Sequence, residues 1–162
     1  MSKETVYNPV FSDVREKNGV KSLRKYGIPT IFNYGFIPQT WEDNRTRNGD
    51  GDPIDLIDIG QHPDTAKPIL AVCDYLILGC LGLIDQKEID YKVLAIEINE
   101  ALADEISNID DFNKKYPGKI DEIKQWFRDI KTYDGKPPNT YMEGVDYFDA
   151  KETQDIIHEC HL

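Results

Sequence analysis

A chain of 162 residues suffices to bury one core and reads as a single domain, residues 1–162. Its formal net charge of −11 argues against any general affinity for nucleic acid or anionic membrane, because both rest on surplus Lys and Arg. No apolar run approaches the ~18 residues that span a bilayer, Met1-Ser2-Lys3-Glu4 lacks a signal peptide's apolar region, and three cysteines without CxxC spacing fit a reduced, cytoplasmic protein.

Residues 1–30 are polar and broken, with short apolar pieces at Val6–Phe11 and Val20–Leu23. Asn18-Gly19 lies between them and predicts a hairpin turn. Lys21, Arg24 and Lys25 gather nearby; a solvated charge cluster is the default reading and phosphate contact the minority one. From Pro29 to Trp41, aromatic and β-branched residues alternate with Gly and Pro, which suits short strands of a curved sheet or barrel. Tyr34 within this stretch is either core or a hydroxyl offered to a site.

The chain's most informative stretch follows, from Asn48 to Ile59. Asp50, Asp52 and Asp55 fall close together and are followed at once by an apolar run. Gly49 and Gly51 permit positive φ, and Pro53 confines Asp52 to extended geometry at a strand's start or edge. Strand alternation over Ile54–Ile59 puts Asp55 on the face of Ile57 and Ile59, where a carboxylate is costly unless paired, protonated or bound to a metal. At ~5 Å and an effective dielectric of ~20, each like-charged pair costs roughly 3 kcal/mol. A cation in their midst removes that cost, and oxygen donors suit Mg²⁺ and Ca²⁺. The competing reading is an acidic turn whose carboxylates face water. An EF-hand fails, because counting from Asp50 puts Asp55 where the loop needs Gly and Gln61 where it needs Glu.

Pro68 to Ile84 reads as two apolar strands or one long bent strand, with Gly79 and Gly82 marking a bulge or a close approach. Asp85 closes it, and Asp90–Ile96 is the next strand, with Asp90, Lys92 and Leu94 on one face. Helices are predicted over Asn108–Tyr116, over Lys119–Lys131 with an Ile120, Ile123, Phe127 and Ile130 stripe, and over Lys151–His161. His158, Cys160 and His161 match no structural zinc spacing. Strands first and helices later predict an α+β, mainly β chain: a barrel with helices packed outside. No Ser-His-Asp, Cys-His, GxGxxG or P-loop pattern occurs. Aspartates, lysines and tyrosines remain, the kit for metal-assisted attack of water on a phosphoryl group.

Asp50-Gly51-Asp52-Pro53-Ile54-Asp55 resembles the signature of the family I soluble inorganic pyrophosphatases. Asn33-Tyr34-Gly35 with Pro38–Asp43 is similar to the segment before it in eukaryotic members, and Asp85–Ile96, Asn99–Leu102, Trp126-Phe127-Arg128 and Asp134–Pro137 resemble later landmarks in order. The likeness runs from about Tyr7 to His158. It implies an OB-like five-stranded barrel and Mg²⁺-dependent hydrolysis of pyrophosphate to two phosphates, with several ions per site and no covalent intermediate. Asp50, Asp55, Asp85 and Asp90 would hold metal, Asp52 would be the general base, and Lys92, Tyr34, Lys131 and Arg24 would hold phosphate oxygens. The resemblance also implies a homodimer. An upstream strand with two active-site glutamates and a phosphate lysine has no counterpart here, Ile130 stands where a tyrosine precedes the phosphate lysine, and Thr30 replaces a second tyrosine. The expectation is an inorganic pyrophosphatase, impaired if the chain is a truncated product or a diverged member. The competing reading is a non-catalytic relative that binds metal or a partner. An OB-type nucleic-acid module is disfavoured by the acidic charge and the lack of an aromatic-plus-basic strip.

Overall fold

The apolar run that begins at Tyr75 folds as one continuous strand, and the rest of the main sheet is arranged around it. The computed structural model describes residues 14–23, 27–60 and 67–162. In chain order the strands are β1 (Val14–Lys17), β2 (Val20–Leu23), β3 (Asn33–Phe36), β4 (Asp55–Asp58), β5 (Tyr75–Asp85), β6 (Glu88–Glu97), β7 (Thr140–Tyr141) and β8 (Phe148–Asp149). The helices are α1 (Ile109–Lys115), α2 (Lys119–Asp129) and α3 (Ala150–Glu159).

β1 and β2 form a separate two-stranded sheet. They turn on Asn18 and Gly19, both at positive φ, as a two-residue type I′ hairpin requires. The predicted turn is therefore present, but the strand paired with Val20–Leu23 is the polar Val14–Lys17. The predicted apolar piece Val6–Phe11 lies outside the described residues, and so does Arg24.

The main sheet runs β3-β4-β6-β5-β7, with β8 also paired to β5. The α+β class and the outlying helices stand as expected. The described strands of this main sheet number six rather than five, and their ladder is open from β3 to β7 instead of closing into a barrel. β7 and β8, two residues each, carry too little pattern to be read from sequence. Glycine does place the predicted irregularity: the β5–β6 register shifts between Ile77 and Gly79. A Cβ on Gly79 would stand 2.6 Å from the Phe148 carbonyl oxygen, so its absence lets β8 approach β5.

Pro68–Asp74 is not strand, contrary to the apolar-run reading. The Ala71 N–H donates to the Pro68 carbonyl at 3.0 Å and Leu70 takes a φ of 68°, so the chain turns here. Ile69 and Val72 are almost fully exposed. Apolarity alone cannot hold a strand where a proline lacks its N–H and the backbone turns.

The stripe on α2 behaves as predicted. Ile120, Ile123, Phe127 and Ile130 are all buried, and the first three pack with Ile57, Leu81, Leu94 and Ile96 of the sheet. Phe127 stacks on Phe32 at 5.2 Å, and Trp126 meets the same ring edge-on at 4.9 Å. These aromatics place the C-terminal end of α2 beside β3, next to Tyr34.

Candidate active site

The parallel pairing of β4 with β6 sets Asp55 directly beside Lys92. On β6, Asp90 shares a face with Lys92, as period two predicts, and the Lys92 ammonium donates to both Asp55 and Asp90. Tyr34, across the antiparallel β3–β4 pair, donates its hydroxyl to the same Asp55 oxygen and lies 3.4 Å from Lys92 Nζ. The Phe127 ring covers the lysine at 5.4 Å. Four predicted site residues thus converge through long-range sheet register.

The loop carrying Asp50 and Asp52 is pinned to the start of β6. Ile89 N–H donates to the Asn48 carbonyl at 2.8 Å, and the Asn48 side chain donates to the Lys87 carbonyl at 2.8 Å. Asp50 accepts from the Asp52 N–H at 3.0 Å, a local turn that folds the two residues together. Of the two glycines read as positive-φ positions, Gly51 takes one (75°) and Gly49 does not. Asn48 adopts φ 55° instead, and Gly49 is needed because a Cβ there would stand 2.4 Å from the Glu42 carbonyl oxygen.

Asp85, at the end of β5, accepts from the Lys131 ammonium, which projects from just beyond α2. So both lysines read as phosphate partners are paired with aspartates read as metal ligands. Among the described residues, no three His, Cys, Asp or Glu side chains are drawn together as ligands of one ion. The donor set nonetheless fits a hard divalent cation. It is all carboxylate oxygen, it already gathers ammonium groups, and Asp85 Oδ1 is buried with no hydrogen-bond partner.

Sequence reasoning passed over Glu42, which it touched only within the Pro38–Asp43 resemblance. The residue is buried, with Oε1 accepting from the Tyr91 N–H at 2.9 Å and Oε2 left without a hydrogen-bond partner. Burial, opposed by the Tyr91 hydrogen bond and reinforced by the charges of Asp90, Asp50 and Asp55, raises its pKa to about 9. The available signal was its position between Trp41 and Asp43 in a segment already singled out by resemblance. Asp90 is likewise raised, to about 7, first by burial; Lys92 opposes the rise, while Asp55 and Asp50 add to it. Burial alone would favour a neutral Lys92, but Asp55, Tyr34 and Asp90 outweigh it and hold the ammonium well above its usual range.

The raised Glu42 value carries a stability consequence of definite sign. Between the ordinary 4.5 and about 9, the folded chain holds a proton that the unfolded chain has lost. Stability therefore falls as pH rises through that window. Glu42→Gln removes this slope. Thermal melts in chelator are expected to show the variant gaining on the parent from pH 5 to pH 9, by roughly 5 kcal/mol at the alkaline end. A pH-independent difference would show that the carboxyl is not held neutral.

The family profile described as inorganic pyrophosphatase matches residues 13–162. The inorganic pyrophosphatase of Encephalitozoon cuniculi is 36% identical over 170 residues, 99% of this chain and 60% of that protein. The chain thus spans about three-fifths of that relative's length. The structure of inorganic pyrophosphatase from Schistosoma japonicum superposes with a TM-score of 0.82 at 32% identity, covering 98% of this chain and 58% of that one. An N-terminally truncated vacuolar soluble pyrophosphatase of Trypanosoma cruzi, in complex with PPi, superposes with a TM-score of 0.79 at 35% identity, covering 91% and 57%. Among the described residues, no helix is long and apolar enough to cross a membrane.

Proposed function

The chain belongs to the inorganic pyrophosphatase family, and from that premise we propose that it hydrolyses inorganic pyrophosphate to two phosphates with the aid of divalent cations, Mg²⁺ in the first place. The observation that carries this reading is the convergence of Asp55, Asp90, Lys92 and Tyr34 on one point of the sheet. Asp50, Asp55, Asp85 and Asp90 are the residues that would hold the cations. When bound, the cations neutralise the substrate's charge and make water easier to deprotonate.

Asp52 accepts the proton of the attacking water on a carboxylate oxygen. The water oxygen forms its bond to one phosphorus as the bridging P–O bond breaks, and the second phosphate leaves with the bridging oxygen. Lys92, Lys131 and Tyr34 donate to phosphate oxygens, with Arg24 as a further cation. They hold the reacting groups in line and offset the charge that develops on the leaving phosphate. No residue of the chain forms a covalent bond to phosphorus. We read the chain as one domain, acting in the cytoplasm as a homodimer.

Phosphate release from pyrophosphate by the purified chain, with Mg²⁺ and then with excess chelator, tests the reading. Release that chelator abolishes is the expected result. Mg²⁺ binding without any release would sink the catalytic reading and leave the non-catalytic relative in its place.

A further inference from the structure

We propose that Thr40, a fully buried residue whose hydroxyl is spent on the backbone, is a positioning residue for the carboxylates on both sides of Pro53. The inference rests on the functional reading above. Thr40 has no exposed surface, and its hydroxyl is committed twice. It donates to the Ile37 carbonyl at 2.6 Å and accepts from the Ile54 N–H at 3.0 Å.

The place of that hydroxyl in the ladder matters. β3 and β4 pair from Asn33↔Asp58 to Phe36↔Asp55, so the next opposed pair is Ile37 and Ile54. Ile37 N–H donates to the Ile54 carbonyl at 2.9 Å, as the ladder demands. The return bond is not direct. The Thr40 hydroxyl stands between the Ile54 N–H and the Ile37 carbonyl, wedging the strands apart where the chain leaves the sheet. The preceding residue, Pro53, has no N–H to offer, and the next link is Glu42 N–H to the Asp52 carbonyl at 2.8 Å. Thr40 itself is held from behind by its bridge to His161 and by Trp41 N–H to the Cys160 carbonyl at 2.8 Å. The wedge therefore has a fixed seat. Its width sets the direction in which the backbone departs between Asp55, at the end of the ladder, and Asp52, in the loop.

Three variants separate positioning from mere stability. Thr40→Ser keeps the hydroxyl, Thr40→Ala removes it with the same loss of a methyl group, and Thr40→Val replaces it isosterically. Mg²⁺ affinity is measured by calorimetry without substrate, well below each variant's melting temperature, together with kcat and KM. Thr40→Ser is expected to stay within about twofold of the parent. Thr40→Ala and Thr40→Val are expected to lose roughly tenfold in Mg²⁺ affinity, the usual weight of a buried hydrogen bond left unmade. They should also lose kcat more than KM. If Thr40→Val does not fold, the Ser and Ala pair carries the comparison. Equal Mg²⁺ affinity in Ser and Ala variants, whatever their melting temperatures, would overturn the inference. No Mg²⁺ binding by the parent chain would overturn the functional reading and this inference with it.

Discussion

Asp52→Asn is expected to reduce phosphate release by about 10²–10⁴-fold while leaving Mg²⁺ binding and the melting temperature near those of the parent. The substitution is nearly isosteric, and the backbone around it is held by groups the side chain does not supply. Asp52 N–H donates to Asp50 at 3.0 Å, and the Asp52 carbonyl accepts from Glu42 N–H at 2.8 Å. Pro53 fixes the next φ. An amide in place of the carboxylate therefore keeps the loop but cannot accept a proton from water. The paired measurements are phosphate release and calorimetric Mg²⁺ titration. Full turnover in the variant would remove Asp52 from the role of base. Lost turnover together with lost Mg²⁺ binding would make it a ligand instead.

The division between what the residues disclose and what they conceal follows the range of the interactions involved. Local rules place Asp90 and Lys92 on one face, because strand period depends on neighbours alone. They also find the α2 stripe and the glycine-marked bulge in β5. They cannot state that β4 runs parallel to β6 with Asp55 opposite Lys92, since that register is settled by packing across the whole sheet. Glu42 shows the same limit from the other side. The sequence marks it only as one residue of Pro38–Asp43, yet the chain folds back so that Tyr91 N–H donates to its carboxyl oxygen. The apolar segment Pro68–Val72 misleads because apolarity signals burial only where the backbone can pair. The Pro68 turn prevents pairing, and Ile69 and Val72 stay in water. Family resemblance named the aspartates and lysines. It did not supply their partners, and those partners determine what each substitution does to the folded chain.

Lys92→Met illustrates that dependence and is expected to give the largest loss of stability. In the metal-free protein, the buried ammonium is shared by Asp55 and Asp90, both also buried. Removing one partner of a buried ion pair typically costs about 3–5 kcal/mol, because the remaining charge is left without compensation. Here two carboxylates are stranded, and their mutual repulsion adds to the cost. Protonation relieves it. Burial already raises Asp90 with the lysine present, and loss of Lys92 removes a charge that opposes that rise. The loss of stability should therefore be greatest at alkaline pH and shrink as pH falls and the carboxylates take up protons. Urea unfolding in chelator at pH 6 and pH 8 measures the difference directly. Mg²⁺ added at pH 8 should recover part of the stability, since a cation that binds only the folded state shifts the equilibrium toward it. Turnover should not recover, because the cation replaces the lysine's charge among the aspartates but not its hydrogen bonds to phosphate. A loss equal at both pH values and indifferent to Mg²⁺ would mean that the Met variant suffers from lost packing under Phe127, and that Lys92 does not balance the carboxylates in the folded chain.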